Sequence, residues 1–132
     1  MSKNSITNEK PVKIFIVDDD LLMIELMTAL LEVNGFLVSS NCHAVRSLGE
    51  IRAQQPDCIL VDLQMAVMDG LELCQEIHAL PKLSNTPVIV VSAHSNAIWQ
   101  ERAKEVGAVG YLVKPIDEDL LIQTINSAIG RD

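Results

Sequence analysis

The chain has 132 residues and a formal net charge of −8, and hydrophobic residues make up 48% of its composition. This length and composition predict one globular domain, with residues 1–10 as a flexible leader and residues 11–132 as the folded part. The acidic charge argues against direct binding to nucleic acids or to anionic membranes, because both need a basic surface.

The sequence predicts neither a membrane span nor a signal peptide. No apolar run approaches the roughly 20 residues of a membrane span, and the amino terminus lacks the apolar stretch of a signal peptide. The three cysteines have no C-x-x-C spacing, which favours free thiols in a reducing compartment. We therefore expect a cytoplasmic protein.

Short apolar runs rich in β-branched residues alternate with segments of helical spacing along the chain. Strands are predicted at residues 14–17, 58–61, 88–91 and 111–113, with a weaker edge strand at residues 36–40. Helices are predicted at residues 21–34, 44–54, 70–79, 96–106 and 117–129. The first helix carries only a thin polar stripe, so it is predicted to be mostly buried. This alternation indicates a parallel sheet with helices on both faces, a doubly wound α/β fold.

Polar side chains stand where the predicted strands end. They are Asp18, Asp19 and Asp20 after the first strand, Asp62 after the third, Ser92 after the fourth and Lys114 after the fifth. Because the carboxyl ends of parallel strands share one edge of the sheet, we expect these groups to meet there. Clustered carboxylates repel one another unless a cation lies among them, and Mg²⁺ fits such a set of oxygen ligands.

The same cluster predicts phosphoryl chemistry. With Mg²⁺ neutralising an incoming phosphoryl group, Asp62 is a candidate nucleophile that forms an aspartyl phosphate. The Lys114 ammonium and the Ser92 hydroxyl are suited to contact the phosphoryl oxygens.

Four segments, IFIVDDD, ILVDLQMAVMDG, VIVVSA and GYLVKPI, resemble the receiver domain of bacterial two-component response regulators, the CheY-like domain. The resemblance covers about residues 13–129 and implies a five-stranded flavodoxin-like (βα)5 sheet in the strand order 2-1-3-4-5. It also implies a phosphorelay in which a sensor histidine kinase or a histidine phosphotransfer protein donates the phosphoryl group. The domain would then be a phosphoprotein that signals by a conformational switch, not an enzyme.

The resemblance suggests a role for each matching residue of this chain. Asp62 resembles the phosphoacceptor, Lys114 the lysine beside it, Ser92 the switch hydroxyl and Tyr111 the switch aromatic residue. The implied metal ligands are Asp18, Asp19, Asp62 and the backbone carbonyl of Gln64.

Three further residues border this site. Asp20 lies outside the acidic pair of the family pattern and is predicted to cap the following helix. By the same resemblance, Gln64 and His94 are predicted to tune the lifetime of the phosphoryl group.

The last two predicted helices carry more apolar residues than packing on one sheet requires. Either the core buries them, or they form a surface for a homodimer or an output protein. The candidate residues of that surface are Ile98, Trp99, Ile122, Ile125 and Ile129.

Two other functions stay open. A phosphate-independent pseudo-receiver would serve only for interaction or dimerisation, but the chain retains every residue that the phosphoryl chemistry needs. A Mg²⁺-dependent phosphohydrolase with an aspartyl phosphate would typically need an acid two residues after its nucleophile. That position holds Gln64, which cannot protonate a leaving group.

Overall fold

The computed structural model describes residues 10–131, so residues 1–9 of the predicted leader lie outside the described part. Five strands alternate with five helices. The strands are β1 (Lys13–Val17), β2 (Leu37–Asn41), β3 (Cys58–Asp62), β4 (Val88–Ser92) and β5 (Gly110–Val113). The helices are α1 (Leu21–Val33), α2 (Ala44–Gln54), α3 (Gly70–His78), α4 (Ala97–Glu105) and α5 (Glu118–Ala128), with a 3₁₀ turn at Pro81–Leu83.

The strands form one parallel sheet in the order β2-β1-β3-β4-β5, which confirms the predicted doubly wound fold and its strand order. β2 lies at an edge, as predicted. Every residue of β3 and β4 is buried, because helices cover both faces of the sheet.

Two hydrophobic cores lie on opposite faces of the sheet. Along β1, Phe15 and Val17 belong to the first core, whereas Ile14 and Ile16 belong to the second, as the period of two in a strand requires. Buried residues of α2, α3 and α4 complete the first core, and those of α1 and α5 complete the second. The sheet is therefore a rigid base for the groups at its carboxyl edge.

The prediction that α1 is mostly buried is wrong. Only Met27 and Leu31 are fully buried, because α1 packs on one face of the sheet and a single stripe of a helix can reach that face. The outer apolar residues face solvent: Leu22 is 75% exposed, Leu26 46% and Val33 83%. The exposed surface of α1 is therefore wider than its polar stripe and includes apolar side chains.

The prediction of Ile125 as a surface residue is also wrong. Ile125 is fully buried in the second core, and Ile122 and Ile129 pack against that core while keeping part of their surface. Most of the apolar excess on α5 is explained by core packing. On α4, Ile98 is 58% exposed and Trp99 is partly buried against the first core.

The helices within residues 10–131 are all too short or too polar to cross a membrane.

Candidate functional site

The first strand ends in three aspartates that point in different directions. Asp18 is fully buried, and its carboxylate accepts a hydrogen bond from the Asp20 backbone nitrogen at 2.9 Å. Asp19 is exposed. The Asp20 side chain accepts from the Leu22 backbone nitrogen at 3.0 Å, which confirms the predicted cap of α1. Asp18 and Asp19 are thus the two aspartates of this group whose side chains remain for a functional site.

A carboxylate cluster lies at the carboxyl edge of the sheet. Oxygen atoms of Asp18, Asp19 and Asp62 lie within 4.8 Å of one another. The Lys114 ammonium lies 3.2 Å from Asp18 Oδ2 and 3.4 Å from Asp62 Oδ1, so it bridges the two buried carboxylates. The strand register brings the strand ends together, since Val17 pairs with Val61, Asp62 with Val91 and Ser92 with Val113. The structure therefore unites residues from three strand ends that are far apart in sequence.

The Asp62 carboxyl group has an unusual protonation equilibrium. Burial and the negative charge of Asp18 raise its pKa from 3.8 to about 6, against the opposing effect of Lys114. Burial would lower the pKa of Lys114, but the charges of Asp18 and Asp62 outweigh it and raise the pKa above its usual value. The single positive charge of Lys114 thus does not fully offset the burial of Asp62 and its repulsion by Asp18.

The donor set fits a hard divalent cation. It consists of carboxylate oxygens, which suit Mg²⁺, and one of the three carboxylates is exposed. The exposed Asp19 leaves this set of carboxylates accessible from solvent. Gln64 is exposed and lies two residues beyond the end of β3, close in sequence to Asp62.

Ser92 and Tyr111 meet on one loop residue. The Ser92 hydroxyl is buried and accepts a hydrogen bond from the His94 backbone nitrogen at 2.9 Å. The Tyr111 hydroxyl donates to the His94 carbonyl oxygen at 2.7 Å. Both predicted switch side chains therefore contact the loop between β4 and α4.

Sequence reasoning missed the surroundings of the His94 ring. The imidazole lies against Trp99, with ring centroids 5.9 Å apart, and the Arg102 guanidinium carbon lies 5.1 Å from the Trp99 ring centroid. The separation of five residues between His94 and Trp99 crosses a helix start, so no regular periodicity signals this contact.

The loop after Asp62 begins α3 with a complete capping box. The Asp69 side chain accepts from the Glu72 backbone nitrogen at 2.8 Å, and the Glu72 side chain accepts from the Asp69 backbone nitrogen at 3.0 Å. The Gly70 nitrogen donates to the Leu63 carbonyl at 2.9 Å, which holds the loop against the end of β3.

Val67 in this loop has a φ of 72° and is 94% exposed. A β-branched residue in the left-handed region is strained, whereas asparagine adopts this conformation more easily. We expect Val67→Asn to raise the free energy of unfolding by about 1 kcal/mol in urea denaturation. Val109→Asn, at another exposed valine with ordinary φ, is the control and should bring no such gain. Equal effects of the two substitutions would contradict the assignment of strain to Val67.

The family comparison agrees with this geometry. The family model of the response regulator receiver domain matches residues 14–126. The chain belongs to this receiver domain family. The family resemblance and the CheY-like fold are therefore confirmed, and the family is a signalling module of two-component systems.

Relatives of this receiver domain differ in total length, so the matched region makes up different shares of their chains. The polar-differentiation response regulator DivK of Brucella anthropi is 32% identical over 120 residues, which cover 91% of this chain and 98% of DivK. The transcriptional regulatory protein ZraR of Klebsiella oxytoca is 34% identical over 118 residues, covering 89% of this chain. The chain spans 26% of the length of ZraR.

A solved structure resembles the receiver domain closely in fold. The receiver domain of sensor histidine kinase PA1611 from Pseudomonas aeruginosa has a TM-score of 0.84 at 25% sequence identity, covering 92% of this chain and 99% of that chain. That structure has a magnesium ion coordinated in its active site cleft.

Proposed function

We propose that this receiver domain accepts a phosphoryl group on the Asp62 carboxylate and signals through the resulting conformational change. The observation that supports this most is the Lys114 ammonium, which bridges Asp62 and Asp18 beside the exposed Asp19. An Asp62 oxygen attacks phosphorus, and the bond between phosphorus and the donor's imidazole nitrogen breaks. Lys114 then pairs with a phosphoryl oxygen and stabilises the charge that develops there.

Mg²⁺ would be held by Asp18, Asp19, Asp62 and the backbone carbonyl of Gln64. When bound, it supplies positive charge that offsets the repulsion between the carboxylates and the phosphoryl group. Lys114 orients Asp62, and the buried Asp18 holds Lys114 in place. Asp62 reacts as the carboxylate, and the donor's imidazole leaves with the electron pair of the broken bond and takes up one proton from water.

Removing one metal ligand should separate Mg²⁺ binding from folding. We expect about 10 mM Mg²⁺ to raise the melting temperature of the parent protein, because a ligand that binds only the folded state stabilises it. Asp19→Asn should lose most of this rise, with about tenfold weaker binding in a titration. Asp20→Asn is the matched control: asparagine also caps helices, so this variant should respond as the parent does. An unchanged response in Asp19→Asn would contradict the metal assignment.

Phosphorylation would act on the switch through Ser92 and Tyr111. We propose that the Ser92 hydroxyl moves to donate to a phosphoryl oxygen, and that the Tyr111 ring follows. Both hydroxyls contact His94 in this structure, so each movement changes the loop between β4 and α4. Gln64 and His94 are proposed to tune the lifetime of the phosphoryl group; equal rates of its loss in the parent and in single alanine variants would contradict this.

The phosphoryl donor is proposed to be a sensor histidine kinase or a histidine phosphotransfer protein that docks on α1. The exposed apolar residues of α1 are spaced four, three and four residues apart, at Leu22, Leu26, Ala29 and Val33. This spacing places them on one stripe that suits packing against a helix. The stripe begins directly beside the aspartates at the end of β1, so a docked helix would lie near Asp62.

Two donors of different size test this docking surface. We expect Leu26→Glu to slow phosphotransfer from a phosphorylated histidine phosphotransfer protein about tenfold. Phosphorylation by acetyl phosphate should stay at the parental rate, because this small molecule needs no docking surface. Val45→Glu on the exposed side of α2 is the control. Equal slowing with both donors would contradict docking on α1.

A homodimer or an output contact through the last two helices is proposed in a reduced form. The fully buried Ile125 drops out, and Ile98 with the partly exposed Trp99, Ile122 and Ile129 remains. Sedimentation as a monomer with and without beryllofluoride, which mimics a phosphoryl group, would contradict the dimer.

Intact mass measurement tests the proposed function. Incubation with acetyl phosphate and Mg²⁺ should add one phosphoryl group to the parent and to Asp20→Asn, and none to Asp62→Asn. Chelation of Mg²⁺ should prevent the addition in the parent. An unmodified parent would favour the phosphate-independent pseudo-receiver, whereas rapid release of inorganic phosphate from phosphate monoesters would favour the phosphohydrolase.

A further inference from the structure

The loop between β4 and α4 is held at one residue by both switch side chains. The backbone nitrogen of His94 donates to Ser92 Oγ at 2.9 Å, and its carbonyl oxygen accepts from the Tyr111 hydroxyl at 2.7 Å. Both distances are near the middle of the usual hydrogen-bond range, so a large displacement of either hydroxyl breaks its bond to His94 unless His94 moves with it. The position of His94 is therefore coupled to the position of Ser92.

The side chain of His94 leads away from the switch to α4. Its ring lies against Trp99 at 5.9 Å between centroids with an interplanar angle of 34°. Two further contacts hold the Trp99 indole in place. The Arg102 guanidinium carbon lies 5.1 Å from the indole centroid, and Trp99 also packs against the first core. Aromatic pairs and cation–π pairs attract at these separations. The indole is thus a fixed surface for His94.

We propose that Trp99 is a positioning residue for the phosphorylation switch: its indole ring holds His94 and, through the His94 main chain, sets the positions of Ser92 and Tyr111. Trp99 acts through His94 and does not touch the reacting atoms. Movement of Ser92 toward a phosphoryl oxygen displaces His94, and the displaced His94 ring changes the surroundings of the Trp99 indole. This inference rests on the proposed phosphorylation of Asp62.

The rate of phosphorylation tests the forward direction of this coupling. With acetyl phosphate and Mg²⁺, Trp99→Leu should gain the phosphoryl group about two- to tenfold more slowly than the parent, which corresponds to the loss of one aromatic pair. Leucine keeps apolar contact with the first core, so the variant should fold. Trp99→Phe retains a ring for His94 and should stay within about twofold of the parental rate. A parental rate in Trp99→Leu would overturn the inference.

Tryptophan fluorescence tests whether phosphorylation changes the surroundings of Trp99. If Trp99 had only a structural role, phosphorylation would leave its emission unchanged. Trp99 is the only tryptophan of the chain, so all tryptophan emission reports on this site. Phosphorylation of the parent, confirmed by intact mass, should change the intensity of this emission. The phosphorylated Ser92→Ala variant should lose most of the change, because alanine gives His94 no acceptor.

The outcomes separate this inference from the proposed function. A phosphorylated parent with unchanged tryptophan emission would overturn the positioning role and leave the phosphoacceptor role of Asp62 intact. An equal change in emission in Ser92→Ala would also overturn it, since the signal would then bypass Ser92. A parent that gains no phosphoryl group would contradict the proposed function, and the positioning role with it.

Discussion

Gly70→Ala is expected to lower the free energy of unfolding by about 3 kcal/mol. A Cβ atom at this position would overlap the Asp62 carbonyl oxygen and lie 3.0 Å from the Leu63 Cα. These are backbone atoms of the strand end that carries Asp62, so they cannot move aside as a flexible side chain can. The substitution would push the loop away from β3 and displace the acceptor. Chemical denaturation in urea measures the loss of stability.

The chain offers a matched control in a second glycine. Gly49 lies inside α2, where an added Cβ atom would have no neighbouring atom within 4 Å, and alanine is the better helix former. Gly49→Ala should therefore raise the free energy of unfolding by about 0.5–1 kcal/mol. Stabilities of Gly70→Ala and the parent within experimental error would show that α3 does not pack closely on the end of β3.

Asp62→Asn is expected to stabilise the protein at neutral pH when divalent cations are absent. Burial and the charge of Asp18 raise the pKa of Asp62 from 3.8 to about 6, so the folded state holds this proton more tightly than the unfolded state does. The parent therefore loses stability as the pH rises from the unfolded pKa through the folded pKa. Asparagine has no charge to bury, so the variant escapes this loss of up to about 3 kcal/mol.

The pH profile of the difference is the test. In urea denaturation with a chelator present, Asp62→Asn should exceed the parent by roughly 2–3 kcal/mol at about pH 7, and the excess should vanish toward about pH 3. Asp20→Asn, which alters an exposed cap, should stay close to the parent. A difference between Asp62→Asn and the parent that does not vary with pH would show that burial does not disfavour the Asp62 charge in the folded state.

The chemistry-bearing residues were predictable because they stand at the ends of the strands. Once the apolar run at residues 58–61 is identified as a central strand, parallel topology alone carries Asp62 to the same edge as Asp18 and Lys114. The cap of α1 by Asp20 was predictable for a similar reason, since it depends on local sequence only.

Burial of the helices was less predictable from the sequence. An apolar residue on a helix has the same letter whether it faces the sheet or solvent, and α1 has more apolar residues than its one contact face can cover. Ile125 was predicted to lie on the surface, but α5 packs it into the second core. The contact between His94 and Trp99 depends on the path of a loop, which no periodicity records.

We propose that the Asp62 carboxylate carries the phosphoryl group, and the position of the phosphorylated residue can be measured directly. Borohydride reduction after incubation with acetyl phosphate and Mg²⁺ converts an aspartyl phosphate into homoserine, and peptide mass spectrometry then locates the altered residue. We predict homoserine at position 62 in the parent and at no position in Asp62→Asn. Homoserine at another aspartate, or a phosphoryl adduct that persists in Asp62→Asn, would contradict the assignment of Asp62 as the acceptor.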